Sequence, residues 1–366
     1  MSPQEYRICV IGHTGRGNYG HGIDTVWLEL PRTRVVAIAD AEPAGLKNSM
    51  KRLETENGYA DYRKMLEKEK PDIVAVCSRW LDQHREMVLA AIEAGCHIYM
   101  EKPFCRNLEE ADEIVRACEK NRTKLAIAHQ TRYSPKLPLV KRLLEEGAIG
   151  KVLEIRGRGK EDRRGGGEDL WVLGSHVMNL MQYFGGEADW CFAEALQSGH
   201  RVSRKDVAEG AEGIGPLAGD QVRAMYGLQE GITGYFASRR NCPGGRFGIQ
   251  IFGSTGVIEV LTGYVPDVFV LNDPSWSPGR SKKNWQPISS EGVGKPEPLG
   301  RNGLHAGNIA ACRDLLSAIE EDRLPECNHY EARATVEMIA AVFESHRQAK
   351  PVSLPLSNRA NPLTLL

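Results

Sequence analysis

Five short, almost wholly apolar runs punctuate the first 130 residues, with helical stretches between them. They are Arg7 to Gly12, Arg34 to Asp40, Ile73 to Ser78, Ile98 to Glu101 and Leu125 to His129. None alternates polar with apolar residues, which is the pattern of strands covered on both faces. Gln83 to Ala94, ended by Gly95, and Leu108 to Lys120 read as helices between them. Strand and helix alternating at this spacing predict a doubly wound parallel sheet.

The pattern changes after about residue 150. Val152 to Gly159, Ala188 to Gln197, Gln221 to Leu228, Ile232 to Ser238, Phe247 to Phe252 and Val257 to Leu261 read as strands, and several alternate. Few helices separate them, so this half is expected to be a largely antiparallel sheet with one face open. Residues 262–304 are rich in Gly, Pro and Ser and read as long loops, including the short basic run Arg280 to Lys283. Helix returns from His305 and over Tyr330 to Gln348, and Val352 to Leu356 closes the chain. The fold class is therefore α/β: an N-terminal doubly wound domain (1–130), a C-terminal α+β domain with a large, mainly antiparallel open sheet (131–340), and a helix end and tail (341–366). At 366 residues the chain is long enough for two domains.

With 47 basic and 48 acidic residues the formal net charge is -1, so no single-sign field exists to attract nucleic acid or an anionic membrane. No apolar run approaches the ~20 residues of a membrane span. The polar start Met1 to Tyr6 has no basic segment before an apolar core, which predicts a cytoplasmic protein. The nine cysteines form no C-x-x-C pair, and Cys9, Cys77 and Cys191 lie inside apolar runs. They read as buried thiols of a reducing compartment, and no metal site is expected.

Chemistry concentrates at strand ends. The fourth run passes directly into Glu101-Lys102-Pro103. Burial lowers a lysine pKa and a neighbouring carboxylate raises it again, so the pair can hold a charge or pass a proton in a cleft. The first run ends in Gly12-His13-Thr14-Gly15-Arg16-Gly17-Asn18-Tyr19-Gly20. Two registers of a dinucleotide fingerprint fit: Gly15, Gly17, Gly20, or Gly12, Thr14, Gly17. In either, small residues let the backbone approach a pyrophosphate, and a following helix offers its N-terminal amides. Asp40 ends the second run twenty residues after Gly20, the spacing of the acid that binds an adenosine ribose. No arginine follows at once to take a 2′-phosphate, so the coenzyme reads as NAD.

With these elements in order around Ala94-Gly95-Cys96-His97-Ile98-Tyr99-Met100-Glu101-Lys102-Pro103, the chain resembles the glucose–fructose oxidoreductase/inositol dehydrogenase (Gfo/Idh/MocA) family, nearly end to end. His84, seventeen residues before Glu101, stands where that family has a histidine. The resemblance implies a Rossmann domain followed by an open-sheet domain that often serves oligomer contacts, here a homodimer or homotetramer. It implies hydride transfer between NAD and a sugar, inositol or related polyol. Lys102 then sits beside the nicotinamide and the reacting hydroxyl, and His176 serves as acid/base, a role suited to a side chain with an unperturbed pKa near 6.5. The residues expected at the coenzyme are Gly12, Thr14, Gly15, Gly17, Asp40, Ser78, Trp80, His84, Glu101 and Lys102. Trp80 either walls the nicotinamide pocket or packs at the strand end.

His176 lies in a helix read as continuous from Asp169 to Phe184, off the centre of the stripe Leu170, Leu173, Val177, Leu180 and Phe184. The family usually has aspartates at the positions of Val172 and Asn179, and Val172 cannot polarise the imidazole. Asp169 either caps this helix or, with Glu168, contacts substrate from the mobile run starting at Arg163. Arg132 and Tyr133, after the fifth strand with His129, resemble a segment lining the family's cleft. With Asn179 they complete the expected substrate contacts. Two other readings keep the coenzyme: a glycoside hydrolase or lyase that uses NAD transiently, and a catalytically silent NAD-binding protein.

Overall fold

A computed structural model describes residues 5–242, 246–300 and 303–366. The chain packs as two compact units. The first comprises Met1–Gln130 together with 211–215 and 304–333.

In the first unit the strands are Tyr6–Ile11 (β1), Thr33–Ala39 (β2), Gly58–Tyr59 (β3), Ile73–Val76 (β4), His97–Met100 (β5) and Leu125–Ile127 (β6). The helices are Pro43–Arg52 (α1), Tyr62–Glu69 (α2), His84–Glu93 (α3) and Leu108–Asn121 (α4). The six strands form one sheet in the order β3-β2-β1-β4-β5-β6, and every pair is parallel. Ile8, Val10, Ile38, Val74 and Ile98 have no exposed surface, because helices cover both faces. Burying a side chain of this size contributes about 1.5–3 kcal/mol. The helices start where the sequence supplies caps: the Asp61 side chain accepts from the Arg63 amide and that of Asn107 from the Glu110 amide, both at 2.9 Å. The helix spanning Gly303–Glu320 packs here too; its Asn308 Oδ1 accepts from the Tyr99 hydroxyl at 2.8 Å.

One expectation fails in this unit. No α-helix follows the glycine-rich run; turns lead to a single 3₁₀ turn at Val26–Glu29. The reason is the density of left-handed backbone: Gly15, Gly17, Asn18, Gly20 and Gly22 all have φ between +53° and +89°. A right-handed helix cannot include them. Any anion here meets loop amides and not a helix terminus.

The second unit contains Lys136–Glu145 (α5), Val152–Arg158 (β7), Gly167–Val172 (α6), Gly174–Gly185 (α7) and Ala188–Gln197 (β8). Short strands His200–Arg201 (β9), Ala208–Glu209 (β10) and Pro216–Leu217 (β11) precede Gln221–Leu228 (β12) and Thr233–Arg239 (β13). Then come Gly248–Gly253 (β14), Val257–Leu261 (β15), Val268–Leu271 (β16), Gln286–Ser289 (β17), Gly292–Val293 (β18) and Val352–Ser353 (β19). Eleven strands make one sheet, ordered β18-β17-β16-β15-β14-β7-β13-β12-β8-β19 with β9 beside β8. All its pairs are antiparallel except β13 with β7.

One face of this sheet is covered. Val177 of α7 meets Gly157 and Met181 meets Gly234. On the helix His329–Gln348, Met338 O accepts from Tyr226 Oη at 3.0 Å and Ser345 Oγ from the Ala193 amide at 2.9 Å. Outward residues such as Phe192 and Tyr235 stay exposed, so the alternation read from sequence is the alternation of burial.

Two further expectations are corrected. The segment 262–304, read as loops, carries β16, β17, β18 and a helical turn at Pro278–Ser281; its turn-forming residues mask the short run Val268–Leu271. The helix read as continuous from Asp169 to Phe184 is broken at Leu173 (φ -116°) into α6 and α7.

Candidate active site

The residues singled out in the first unit converge on one edge of the parallel sheet. Gly12 follows β1, Asp40 β2, Ser78 β4, Lys102 β5 and His129 β6, all at carboxyl ends. The chain leaves β1 toward β2 on one side and resumes at β4 on the other, so the topological switch lies between β1 and β4. Beside it, Gly12, His13, Asp40, Asp61, Tyr62 and Met87 are among the residues lining a cavity of about 210 Å³.

Asp40 is 1 % exposed. Burial alone would raise its pKa, but hydrogen bonds from Thr14, Tyr19 and the Glu42 amide hold it below the usual carboxylate range. It is therefore ionised at neutral pH.

The glycine-rich run is fastened to the loop after β4. Ser78 Oγ donates to Arg16 O at 2.9 Å. Arg16 pairs with Asp82 and lies over the Trp80 ring at 4.9 Å. Gly17 explains why this loop needs a glycine: φ is +89°, and a Cβ would lie 2.6 Å from the Arg79 and Trp80 amides. Gly15, at φ +80°, has no atom within 4 Å of that position among the described residues. The two glycines thus do different work, one for the protein's own packing and one leaving open backbone. Gly17→Ala is expected to cost on the order of 3 kcal/mol or more. Gly15→Ala should cost about 1 kcal/mol, from backbone conformation alone. Urea unfolding of both variants checks this; equal losses would contradict it.

Glu101 has no exposed surface. Its Oε1 accepts from the His21 amide at 3.0 Å and faces His21 Nδ1 at 2.6 Å, while Oε2 accepts from the Lys102 amide at 3.0 Å. Burial opposes its charge, but the His21 hydrogen bonds and the Lys102 ammonium hold the carboxyl below its ordinary pKa. Lys102 is 6 % exposed, and the bond to Pro103 is cis. His84 is buried, with ring nitrogens 2.6 Å from Ser78 O and 2.9 Å from Pro103 O. Its imidazole ties the loop after β4 to the turn after Lys102, so its effect on a ligand would pass through backbone.

In the second unit His176, Asn179 and Tyr183 lie on the face of α7 turned away from the sheet. His176 meets Phe247 edge-on, ring centroids 6.3 Å apart. Asn179 has no exposed surface; its Oδ1 accepts from Arg132 Nη1 at 3.3 Å. The Arg132 guanidinium lies 4.3 Å over the Tyr183 ring. On this helix, Ser175 Oγ and Asn179 Nδ2 are among the buried side-chain atoms without a hydrogen-bond partner. Such atoms are costly unless a ligand or water satisfies them.

Asp169 does not cap this helix, the first of the two alternatives read from sequence. The cap position of α6 is Gly166, and Asp169 lies inside the helix. Its buried carboxylate accepts from the Ser238 hydroxyl and from the Glu161 and Lys160 amides, at 3.1 and 3.3 Å. Burial raises its pKa, against those hydrogen bonds. With Arg158 on Glu161 and Arg164 on Asp162, it fastens residues 160–164, which lead into the run from Arg163 to Asp169 that the sequence suggested was mobile. Glu168 is half-buried beside it and Val172 is buried. Tyr133 is half-buried next to Arg132.

A second cavity of about 370 Å³, among Lys141, Tyr183, Gly186 and Glu230, includes none of the candidate residues. His21, Tyr19 and Ser175 were not found by sequence reasoning. His21 meets Glu101 across eighty positions of chain, a pairing no local pattern announces.

Two family models match the chain. Residues 6–129 match the oxidoreductase family's NAD-binding Rossmann fold, and residues 138–259 match the GFO/IDH/MocA C-terminal domain. The chain belongs to the GFO/IDH/MocA family. It is 30% identical over 256 residues to levoglucosan dehydrogenase of Pseudarthrobacter phenanthrenivorans, covering 63% of this chain and 65% of that one. It is 28% identical over 233 residues to myo-inositol 2-dehydrogenase of Thermotoga maritima, covering 61% and 66%. The chain thus spans slightly less than two thirds of either curated relative. A levoglucosan dehydrogenase structure in complex with NADH shares the fold at a TM-score of 0.77, over 96% of this chain and 100% of that one, at 22% identity.

As in other GFO/IDH/MocA proteins, the first unit is an NAD-binding domain. Its residues fit that coenzyme: a glycine at the end of β1, open backbone at Gly15, and an ionised Asp40 lining a cavity at the strand edge.

Proposed function

We propose that the chain catalyses NAD-dependent hydride transfer between the nicotinamide and a hydroxyl-bearing carbon of a sugar, inositol or related polyol. One observation carries this reading: a nearly buried lysine, Lys102, at the carboxyl end of β5 in an NAD-binding sheet, set beside the buried Glu101. Bound NAD supplies the hydride acceptor. Everything else is assigned to this chain's side chains. Lys102 donates a hydrogen bond to the reacting oxygen and stabilises its developing negative charge. His176 takes the hydroxyl proton. Val172 is apolar, so no carboxylate at that position helps the imidazole.

Arg132, Tyr133, Asn179 and Glu168 are proposed substrate contacts, and the unsatisfied Ser175 Oγ and Asn179 Nδ2 suit a polyhydroxylated ligand, whose hydroxyls both donate and accept. Asp169 is proposed to act by holding residues 160–164 in place. Gly12, Thr14, Gly15, Gly17, Asp40, Ser78, Trp80 and His84 are assigned to the coenzyme side, where Gly17, Ser78, Trp80 and His84 shape the loops. In function the chain divides at about residue 130, with the substrate domain at 131–340 and the tail at 341–366.

The reading extends to a cytoplasmic homodimer or homotetramer, supported by nine free cysteines, eight of them buried, and by Phe192 and Tyr235 exposed on the open sheet face. Incubating the protein with NAD and a panel of sugars, sugar acids and inositols tests the activity. NADH fluorescence rising with one class supports it. Sugar released from a glycoside with no net NADH would instead establish the transient-oxidation chemistry, and NAD binding with neither product would establish a silent protein.

A further inference from the structure

Asp40, the acid that ends β2, is already saturated by this chain's own donors. Its Oδ1 accepts from the backbone amides of Glu42 at 3.0 Å and Thr14 at 3.1 Å. Its Oδ2 accepts from the Thr14 hydroxyl and the Tyr19 hydroxyl, each at 2.6 Å, with the Thr14 amide also at 3.1 Å. A carboxylate offers about four lone-pair positions, so no place remains for a further donor. Two of these donors are amides fixed by the backbone. The other two are hydroxyls, which can turn elsewhere.

Tyr19 is the more elaborately supported of the two. It is 9 % exposed, and its ring lies over Gly12, where a Cβ would come within 2.1 Å of it. The Arg52 guanidinium stacks on the ring at 4.6 Å and is itself held by Asp24, at 2.7 Å.

We propose that Tyr19 sets coenzyme affinity by competition: its hydroxyl holds the acceptor position on Asp40 that an adenosine-ribose hydroxyl of NAD needs. The inference rests on the NAD-binding assignment of this unit. Each ribose hydrogen bond to Asp40 replaces one that the protein already makes, so the diol adds little net binding. Removing the phenol hydroxyl frees the position. The ionised carboxylate stays in place, so the repulsion of a 2′-phosphate is unchanged.

The test compares NADH with its analogue lacking the adenosine 2′-hydroxyl, by fluorescence titration of the 366-residue chain. The wild type should bind the two within about twofold of each other. Tyr19→Phe should bind NADH about five- to tenfold more tightly and leave the deoxy analogue unmoved, the loss of one competing hydrogen bond. Thr14→Val, which removes the other hydroxyl on the same oxygen, should act in the same direction and serves if Tyr19→Phe does not fold. Unchanged or weaker NADH binding, or an equal gain for both ligands, overturns the competition. Failure of the wild type to bind NADH at all overturns the coenzyme assignment as well, a distinguishable result.

Discussion

Lys102→Ala should lower kcat for polyol oxidation by about 10²–10³-fold while leaving the NADH dissociation constant within a few-fold of wild type. The magnitude is that of removing a preorganised donor from a developing oxyanion. The split between turnover and binding follows from placement. Lys102 stands at the end of β5, whereas Asp40 and the glycine-rich run follow β2 and β1. The ammonium also faces a cost that the sequence alone could not weigh. At 6 % exposure it has lost most of its hydration, and the ionised Glu101 next to it offsets part of that cost. Lys102→Met separates loss of charge from loss of bulk, and Lys102→Arg should rescue little, because a planar fork does not replace a point charge at a crowded strand end. Steady-state turnover and NADH titration on the same preparations decide the matter. Turnover within tenfold of wild type in Lys102→Ala would remove the lysine from the mechanism, and with it the main support for a dehydrogenase.

The first unit was the more legible half because its signals are local. Buried parallel strands announce themselves as unbroken apolar runs, and the carboxyl-end residues that matter follow them within a few positions: Gly12, Asp40, Lys102. What local pattern could not give is where those side chains spend their hydrogen bonds. Asp40 reads as a ribose acid, yet its oxygens are taken by Thr14 and Tyr19 from the β1 turn. Ser78 reads as a coenzyme contact, yet its hydroxyl holds the glycine-rich run. The helix expected after that run is absent because glycines at 15, 17, 20 and 22 take left-handed turns that a helix cannot include. In the second unit the strands alternated and were found, but β16 to β18 hid among Gly, Pro and Ser. The break at Leu173 left no mark either, since Leu170, Leu173 and Val177 keep helical spacing across it.

Glu101→Ala should destabilise the protein by about 3 kcal/mol, the scale for breaking a buried charged group away from its partners. Three donors converge on this carboxylate: the His21 amide, His21 Nδ1 and the Lys102 amide. All three lose their acceptor in the variant, and the Lys102 ammonium loses a buried negative charge beside it. Glu101→Gln tests the same point more finely. With every neighbour a donor, one end of the amide must present N–H to N–H, so the variant should recover only part of the loss. The pH dependence has a definite sign. The folded-state pKa of Glu101 is lowered from 4.5, so the unfolded chain takes up a proton more readily than the native one. The stabilisation from this group is therefore fully present above about pH 4.5 and is lost as pH falls through the lower native value. Thermal unfolding from pH 7 down to pH 3 should show the gap between wild type and Glu101→Ala narrowing below about pH 4.5. A gap that stays constant or widens on acidification would show that Glu101 is not held as a buried anion.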